Sequence, residues 1–377
     1  MDPLRGVGRL GVTNIKKPDR IRGTVLLTTL WVIALLSLIA LALLAQVRLG
    51  LRRQAWVETH VMGRELLSAM AELAYRRLRE DVESDFDSFL EPWARTYAKN
   101  SRAILSQFEG LDAAKANFQV GLVPVDESGK VNVNRAPAPL LIELLREAGA
   151  GADAADIAAA IVDWRDADNA GAAEDDVYAG LEPAYAPANK DLVRIEELLF
   201  VYGVTPALFF GEDLNHNGLL DSEEDDGDTF LPHDNEDGQL QPGLADLLSV
   251  FGEGDINVNT APVSVLQAAF RVTLEDSRAE ELARRLIEHR RGRDGRDATD
   301  DDKPFRSYEE LLAFFKDNLE GHELASLTGG EVQFGVWSSA FRFYLESFFP
   351  DEHVVVAAEL LVARDEDVLT PLEWHEW

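Results

Sequence analysis

The chain of 377 residues has 68 acidic and 36 basic side chains, a formal net charge of −32, a hydrophobic fraction of 46% and no cysteine. The lack of cysteine excludes a disulfide framework, a thiolate nucleophile, a cysteine-ligated zinc site and an iron–sulfur cluster. The negative charge argues against nucleic acid as a partner of most of the chain. The hydrophobic fraction is that of a folded protein, and the length allows two to three domains.

The first 55 residues differ in charge from the rest of the chain. They hold nine basic and two acidic side chains, a net charge of +7, so the remaining 322 residues carry −39. Anionic lipid attracts a basic segment and repels an acidic one. A basic head on a strongly acidic body therefore indicates that the two parts occupy different environments.

The head contains a predicted membrane-spanning helix. From Thr24 to Ala45 the chain has 22 residues without a charge. At about 1.5 Å per residue they span roughly 30 Å, the hydrocarbon thickness of a bilayer and more than the core of a signal peptide. Basic residues cluster before this segment, so the positive-inside rule predicts a cytoplasmic N-terminus and an exported body. We expect one long helix over roughly 24–82, whose amphipathic second half packs on a soluble domain.

The residues before this helix resemble a known processing signal. Arg22 and Gly23 lead directly into the apolar helix, as in a type IV prepilin-like leader, which a prepilin peptidase cuts after the glycine. The resemblance implies that residues 1–23 are the leader and that Thr24 becomes the new, N-methylated terminus. A glycine lets the backbone enter a tight protease groove. An ordinary signal anchor with a chance glycine is the alternative that this motif alone leaves open.

The fifth residue of the predicted mature chain departs from the usual prepilin pattern. Most prepilins have glutamate there, whereas this chain has Thr28. A carboxylate inside a bilayer is costly and needs a partner. A subunit without that glutamate resembles the K-type minor pseudopilin of type II secretion, which lies at the tip of the pseudopilus.

An internal repeat lies in the acidic body. The segments KVNVNRAPAPLL at 130–141 and DINVNTAPVSVL at 255–266 match at an offset of 125 residues. Each copy predicts a short strand, a turn and a helix, with Asn134 and Asn259 as N-cap or Asx-turn residues. A second match, EELL at 196–199 and at 309–312, indicates two similar helical units.

The stretch 157–209 carries the most specific resemblance to the K-type pseudopilin family. It contains an Asp-Trp-x-Asp-x-Asp stretch, an acidic turn, a Pro/Tyr/Asn segment and a Val-x-Gly-Val-Thr-Pro end. The matching residues are Asp163, Trp164, Asp166, Asp168, Glu174, Asp175, Tyr178, Tyr185, Pro187, Asn189, Gly203, Val204, Thr205 and Pro206. One extra alanine, at Ala172-Ala173, departs from the family's turn. The units are also similar to helix-hairpin-helix modules, but their acidity and lack of a basic patch argue against DNA binding.

Strand-rich pieces flank the helical body. Residues 117–133 predict a hairpin with its turn at 127–129, and 331–377 predict three strands, over 332–346, 353–364 and 368–376. The resemblance implies an α+β fold, in which a pilin-like long N-terminal helix packs on an antiparallel sheet and a large, duplicated, SAM or helix-hairpin-like helical domain is inserted in the sheet. The expected divisions are 1–23 leader, 24–45 transmembrane helix, 46–133 pilin helix and first strands, 134–328 inserted helical domain with a calcium loop, and 329–377 C-terminal pilin strands.

The body contains a predicted calcium loop, DLNHNGLLDSEE at 213–224. It fits the twelve-residue template at every ligand position, because oxygens spaced by two around a sharp turn converge on a hard cation. The predicted ligands are Asp213, Asn215, Asn217, the carbonyl of Leu219, Asp221 and Glu224. A second ion could be held by Asp225, Asp226, Asp228, Asp234 and Asp237, although a disordered acidic loop fits that segment equally well. Calcium would have a structural role.

The sequence offers little for catalysis. It has no His-x-x-x-His pair, no Gly-x-Ser-x-Gly elbow and no phosphate loop. We therefore expect a protein that is not an enzyme.

The resemblance implies a minor pseudopilin at the tip of the type II secretion pseudopilus, which helps to initiate its assembly and protein export across the outer membrane. Its implied partners are the I- and J-type minor pseudopilins, the prepilin peptidase and the inner-membrane secretion platform, with calcium as cofactor and no nucleic acid. It would cross the bacterial inner membrane once, with a periplasmic C-terminal domain. Two alternatives stay open: a minor pilin of a type IV pilus, and a membrane-anchored calcium-binding protein without a filament role.

Overall fold

The computed structural model describes residues 20–81, 85–94, 119–171, 173, 175–212, 220, 224, 227, 238, 240–348, 354–365 and 368–377. The chain divides into two units, Met1–Val61 and Met62–Trp377. The described helices are α1 (Arg20–Glu80), α2 (Ala138–Glu147), α3 (Ala154–Arg165), α4 (Asp175–Ala179), α5 (Pro206–Phe210), α6 (Leu244–Leu247), α7 (Val263–Arg271), α8 (Asp276–Arg290), α9 (Tyr308–Asn318) and α10 (Gly321–Thr328). The strands are β1 (Gln119–Asp126), β2 (Val131–Asn132), β3 (Leu248–Ser249), β4 (Ile256–Asn257), β5 (Phe334–Gly335), β6 (Ala340–Phe348), β7 (Val354–Asp365) and β8 (Val368–Glu376).

In the first unit, α1 is long and apolar enough to cross a membrane. From Thr24 onward it contains a stretch with a mean hydropathy of 2.6, none of it buried within the protein. The hydroxyls of Thr28 and Thr29 each donate to a carbonyl three residues earlier, at 2.9 Å. Such bonds satisfy a hydroxyl inside an apolar helix, so both threonines are compatible with a lipid environment.

In the second unit, the remainder of α1 packs on a four-stranded sheet. The strand order is β1-β6-β7-β8, with every neighbouring pair antiparallel. Leucines 66, 67, 73 and 78 of the helix share one core with the inward-facing aromatic and aliphatic residues of the sheet. Alternation along β6, from Phe341 to Phe343 to Leu345, directs these side chains to one face. The predicted long helix on an antiparallel sheet is confirmed.

A mostly helical insertion separates β1 from β6 in the sequence. It contains two small parallel pairs, β2 with β3 and β4 with β5. The hairpin predicted over 117–133 was wrong, because β1 pairs with β6 while β2 pairs with β3 inside the insertion. The strand predicted over 332–346 is also divided: Phe334–Gly335 pairs with β4, and β6 begins only at Ala340. Both differences arise because strands pair with partners far away in the sequence, and a local residue pattern does not reveal such partners.

The two helical units repeat the same contacts at the predicted offset. Arg165 donates to the carbonyls of Val133 and Ala136. Arg290, 125 residues later, donates to the carbonyls of Val258 at 2.9 Å and Ala261 at 2.8 Å. In each unit an arginine at the end of the second helix satisfies carbonyls of the turn before the first helix. The sequence repeat is therefore also a repeat of three-dimensional contacts.

The repeated asparagines have a different role from the predicted N-caps. The N-caps of α2 and α7 are Pro137 and Pro262, neither of which makes a side-chain capping bond. Asn134 instead accepts from the N–H of Leu192 at 2.8 Å and donates to its carbonyl at 2.9 Å. Asn259 makes the same pair of bonds with Phe305. Each asparagine thus fastens a distant backbone segment to its helical unit.

Candidate functional site

The predicted cleavage residues lie near the described start of α1. Gly23 and Thr24 are both helical, and Thr24 is exposed. Most of the predicted leader, residues 1–19, lies outside the described part of the chain.

Most of the predicted calcium ligands also lie outside the described residues. These are Asp213, Asn215, Asn217, Leu219 and Asp221, together with the second set, Asp225, Asp226, Asp228, Asp234 and Asp237. Glu224, at the last position of the predicted loop, is described and is only 6% exposed. A buried carboxylate needs a cation or hydrogen-bond donors beside it.

The base of this loop is closed by backbone contacts. Gly211 and Pro242 form an antiparallel bridge, the N–H of Glu212 donates to the carbonyl of Gln241 at 3.1 Å, and the N–H of Gln241 donates to Oε2 of Glu212 at 2.7 Å. Gly211 has φ of +65°, and a Cβ there would lie 2.3 Å from the backbone N of Gly243. The two ends of the loop therefore meet at Gly211. The positive φ and the close approach of the two backbones require glycine there.

The residues that carry the family resemblance form part of the core of the first helical unit. Trp164, Tyr178, Tyr185 and Phe200 form an aromatic cluster with ring centroids 5.3–6.3 Å apart. The hydroxyl of Tyr185 donates to the carbonyl of Phe200 at 2.8 Å. Edge-to-face packing and satisfied hydroxyls indicate a structural role for this cluster.

Replacing Thr205 with alanine is expected to lower the free energy of unfolding by about 1 kcal/mol. The Thr205 hydroxyl accepts from the N–H of Leu208 at 3.2 Å as the N-cap of α5. Urea denaturation of the purified protein measures the loss. Ser307→Ala, which removes the similar cap of α9, should cost about as much. A loss no larger than that of Thr328→Ala, whose hydroxyl only bonds back to Leu324 within its helix, would contradict the capping role.

A buried polar junction links the sheet to the second helical unit. Asp126, at the end of β1, accepts from the hydroxyls of Ser338 and Thr260, each at 2.6 Å, from Nδ2 of Asn257 at 3.1 Å and from the N–H of Ser128 at 2.8 Å. Burial nevertheless raises the pKa of Asp126. With its oxygens already used by protein donors, the group acts as a structural hub and offers little to a ligand.

The neighbouring Glu127 is buried among cations. Nε of Arg342 donates to it at 2.7 Å, and Nζ of Lys130 lies 3.7 Å away. Burial opposes its ionisation, but Lys130 and Arg342 outweigh burial and hold the pKa of Glu127 at about 2, below its ordinary value of 4.5. Its contribution to stability is therefore present above pH 4.5 and is lost as the pH falls towards 2.

The sequence analysis missed these junction residues. Asp126 and Ser338 are 212 residues apart, Glu127 and Arg342 are 215 residues apart, and none of the four belongs to the repeat or to a motif. A signal did exist for Arg165 and Arg290, since both follow the matched segments at the same offset of 125 residues.

Comparisons with known proteins agree on one family. A family model described as type II secretion system protein K matches residues 117–210. The type II secretion system protein K of Pectobacterium carotovorum subsp. carotovorum is 31% identical over 208 residues, which cover 51% of this chain and 61% of that protein. The match thus spans less than two thirds of that relative.

A solved structure shares the fold. It is the crystal structure of the GspK-GspI-GspJ complex from the enterotoxigenic Escherichia coli type 2 secretion system. One of its chains aligns with a TM-score of 0.53 and 17% identity, covering 86% of this chain and 98% of that chain. At this identity the likeness establishes a pilin-like fold.

Proposed function

We propose that this chain, which carries a domain of the type II secretion protein K family over residues 117–210, is a minor pseudopilin of the type II secretion system. The family model matches the part of the chain that also carries most of the resemblance found in the sequence, which supports the proposal. We place the chain at the tip of the pseudopilus, where it helps to initiate assembly and protein export across the outer membrane. The family's members are structural components, and we propose no catalytic activity.

One observation carries this proposal: the helical insertion that bears the family domain leaves the sheet after β1 and returns at β6. The pilin-like core, α1 on the antiparallel sheet, is the part that a filament subunit needs. The bulk of the insertion would clash inside a stacked filament and is compatible with its end. Thr28, without the usual carboxylate, also fits a subunit that has no neighbour stacked beyond it.

The proposed partners are the I- and J-type minor pseudopilins, because the solved structure of similar fold is a complex of GspK with GspI and GspJ. The test is co-purification of the full-length chain with both proteins after co-expression. Recovery of a three-protein complex supports the proposal. Recovery with type IV minor pilins in place of the I- and J-type proteins would overturn it in favour of a pilus subunit.

We further propose inner-membrane insertion with a cytoplasmic N-terminus and a periplasmic body, followed by cleavage after Gly23 and contact with the secretion platform. The apolar part of α1 and the basic residues before it support this topology. The mass of the chain from membranes should correspond to an N-methylated Thr24 terminus. Gly23→Leu should leave the leader attached, whereas Gly11→Ala should not. An intact Met1 terminus in the unaltered protein would exclude processing.

We propose that calcium occupies the loop at 213–224, supported by burial of Glu224 and by the closed base at Glu212 and Gln241. An ion bound only by the folded state stabilises by about 2.7 kcal/mol at roughly 100 times its Kd. Calcium should therefore raise the unfolding midpoint of the chelator-treated full-length protein in thermal scans, and magnesium should raise it less.

The variant Glu224→Gln should lose most of the calcium-induced rise in the midpoint, because an amide cannot bind the ion with two anionic oxygens. The exposed Glu331→Gln is the matched control and should keep the full rise. An equal rise in both variants would place calcium elsewhere in the chain.

A further inference from the structure

The segment 85–94 ties the sheet to the second helical unit. The N–H of Asp87 donates to the carbonyl of Val336 at 2.7 Å, and the carbonyl of Asp87 accepts from Nδ2 of Asn257 and of Asn259 at 3.2 and 3.1 Å. Farther along the segment, Trp93 is buried and packs edge-to-face on Phe341 of β6, with ring centroids 4.8 Å apart. These contacts make the segment a strap across the junction.

Three carboxylates at this strap surround one arginine. Asp81 at the end of α1 and Asp87 and Glu91 in the strap each place an oxygen within 4.8 Å of the others. Arg364 of β7 donates to Oδ2 of Asp87, and its Nη1 lies 3.8 Å from Oδ2 of Asp81. The side chains of Asp87 and Arg364 are both 0% exposed. With all groups ionised, three negative charges would face one positive charge in a site removed from water.

Among the described residues, two further charged groups bear on this balance. Asp126 of β1 adds a further repulsion on Asp87. Arg77, one turn before Asp81, is a buried cation of α1, and with Arg77 and Asp126 both counted the carboxylates still outnumber the cations. The Arg364 guanidinium is held between the rings of Trp337 and Phe341, 4.8 and 4.9 Å from their centroids, so its position is fixed. The excess of negative charge is therefore a property of the fold.

Hydrogen bonding at the cluster is incomplete. Across the described part of the chain, Oδ2 of Asp81, Oδ1 of Asp87 and Nη1 of Arg364 are buried without a hydrogen-bond partner. A buried acceptor without a donor costs free energy. A proton on one carboxyl group would turn an acceptor into a donor for its neighbour and would reduce the excess charge in the same step.

We propose that Asp81, Asp87 and Glu91 share protons at neutral pH and form a latch that fastens the strap 85–94 to the sheet, which deprotonation opens. A divalent cation would also balance the carboxylates, but it would lie beside the fixed positive charge of Arg364, so the proton is favoured.

The pKa values agree with the geometry. Burial raises the pKa of Asp81 from 3.8 to about 6, against the opposing charge of Arg364. Burial also raises the pKa of Glu91 from 4.5 to about 7, although hydrogen bonds from the Ser88 N–H and the Trp93 indole, and more weakly Arg364, oppose that shift. Burial also raises the pKa of Asp87 well above its ordinary value. Raised carboxyl pKa values mean that the folded state holds more protons than the unfolded state. The contribution of the latch is thus fully present below the ordinary pKa values of 3.8 and 4.5 and is lost as the pH rises through about 6 and 7.

Hydrogen exchange of the full-length protein in detergent micelles tests the latch. Between about pH 5.5 and about pH 8.5, after correction for intrinsic exchange, protection of peptides from 85–94 and 336–339 should fall by up to about tenfold per pH unit for each proton released. Peptides of α3, on the other helical unit, should keep their protection. Protection of the strap that is independent of pH would overturn the proposal.

Variants identify the groups responsible. Glu91→Gln and Asp81→Asn mimic the protonated carboxyl groups, and both should reduce the pH dependence of strap protection. Asp276→Asn, at a side chain 88% exposed, should leave it unchanged. An unaltered pH slope in both junction variants would refute the assignment. Recovery of protection at high pH by calcium, abolished by Glu91→Gln, would identify a cation site in place of the proton.

Discussion

Replacing Arg364 with methionine is expected to lower the free energy of unfolding by about 3–5 kcal/mol, because it leaves buried carboxylates without their cation. Arg364 is fully buried, pairs with Asp87 and donates from Nε and Nη2 to the carbonyl of Ser338 at 3.1 and 2.7 Å. Methionine keeps an unbranched, polarizable side chain between the two aromatic rings. The loss therefore reports mainly charge and hydrogen bonding. Urea denaturation followed by circular dichroism measures it.

The matched control is Arg284→Met, at an exposed ion pair with Glu288. Such pairs contribute about 0–1 kcal/mol, so the control should change stability little. The Arg364→Met loss should also be smaller at acidic pH, where the nearby carboxyl groups are protonated and need no cation. Equal losses at both positions, or a loss that grows on acidification, would contradict the account of the junction.

The second large effect is expected from Asn259→Ala, which should destabilise the protein by about 2–4 kcal/mol by leaving buried backbone groups without partners. Asn259 is 2% exposed and makes three bonds across the junction, two with the backbone of Phe305 and one with the carbonyl of Asp87. Equilibrium denaturation gives the loss, and hydrogen exchange at Phe305 should report local opening of that segment.

The internal repeat supplies the control for this prediction. Asn134→Ala removes the equivalent pair of bonds to Leu192, but Asn134 is only half-buried and has no bond to the strap. Water can replace part of what is lost there, so we expect a cost of about 1–2 kcal/mol. An equal or larger loss of stability for Asn134→Ala would show that burial does not make Asn259 more important than Asn134.

The sequence predicted those features that rest on local pattern. The uncharged run from Thr24 to Ala45 indicated the apolar part of α1, and leucines at helical spacing indicated the face that packs on the sheet. Motif order also indicated the resemblance to the type II secretion protein K family, because the Asp163–Pro206 stretch has a specific pattern of residue types. The proposed calcium loop rests on the same kind of information, since all its ligands lie within twelve consecutive residues.

Residues that act through distant partners were not predictable in this way. Asn134 and Asn259 were recognised as special, yet their partners lie 58 and 46 residues further along the chain. Because the sequence does not reveal those partners, both asparagines were predicted to be N-cap or Asx-turn residues at the next helix. The segment 117–133 was predicted to be a hairpin for the same reason. The alternation of its residues does not reveal that β1 pairs with β6.

The sequence by itself determined the charge asymmetry, the apolar helix, the duplicated units and the resemblance to the type II secretion protein K family. Each depends on residue types at fixed spacing, and spacing is preserved in any conformation. Only the tertiary structure decided which buried charges meet. Asp87 and Arg364 are 277 residues apart, and their surroundings in β1, β6, β7 and the strap form only when the insertion closes the sheet. The net charge of −32 could not reveal a site where carboxylates outnumber their cation, because burial gives that excess its energetic consequence.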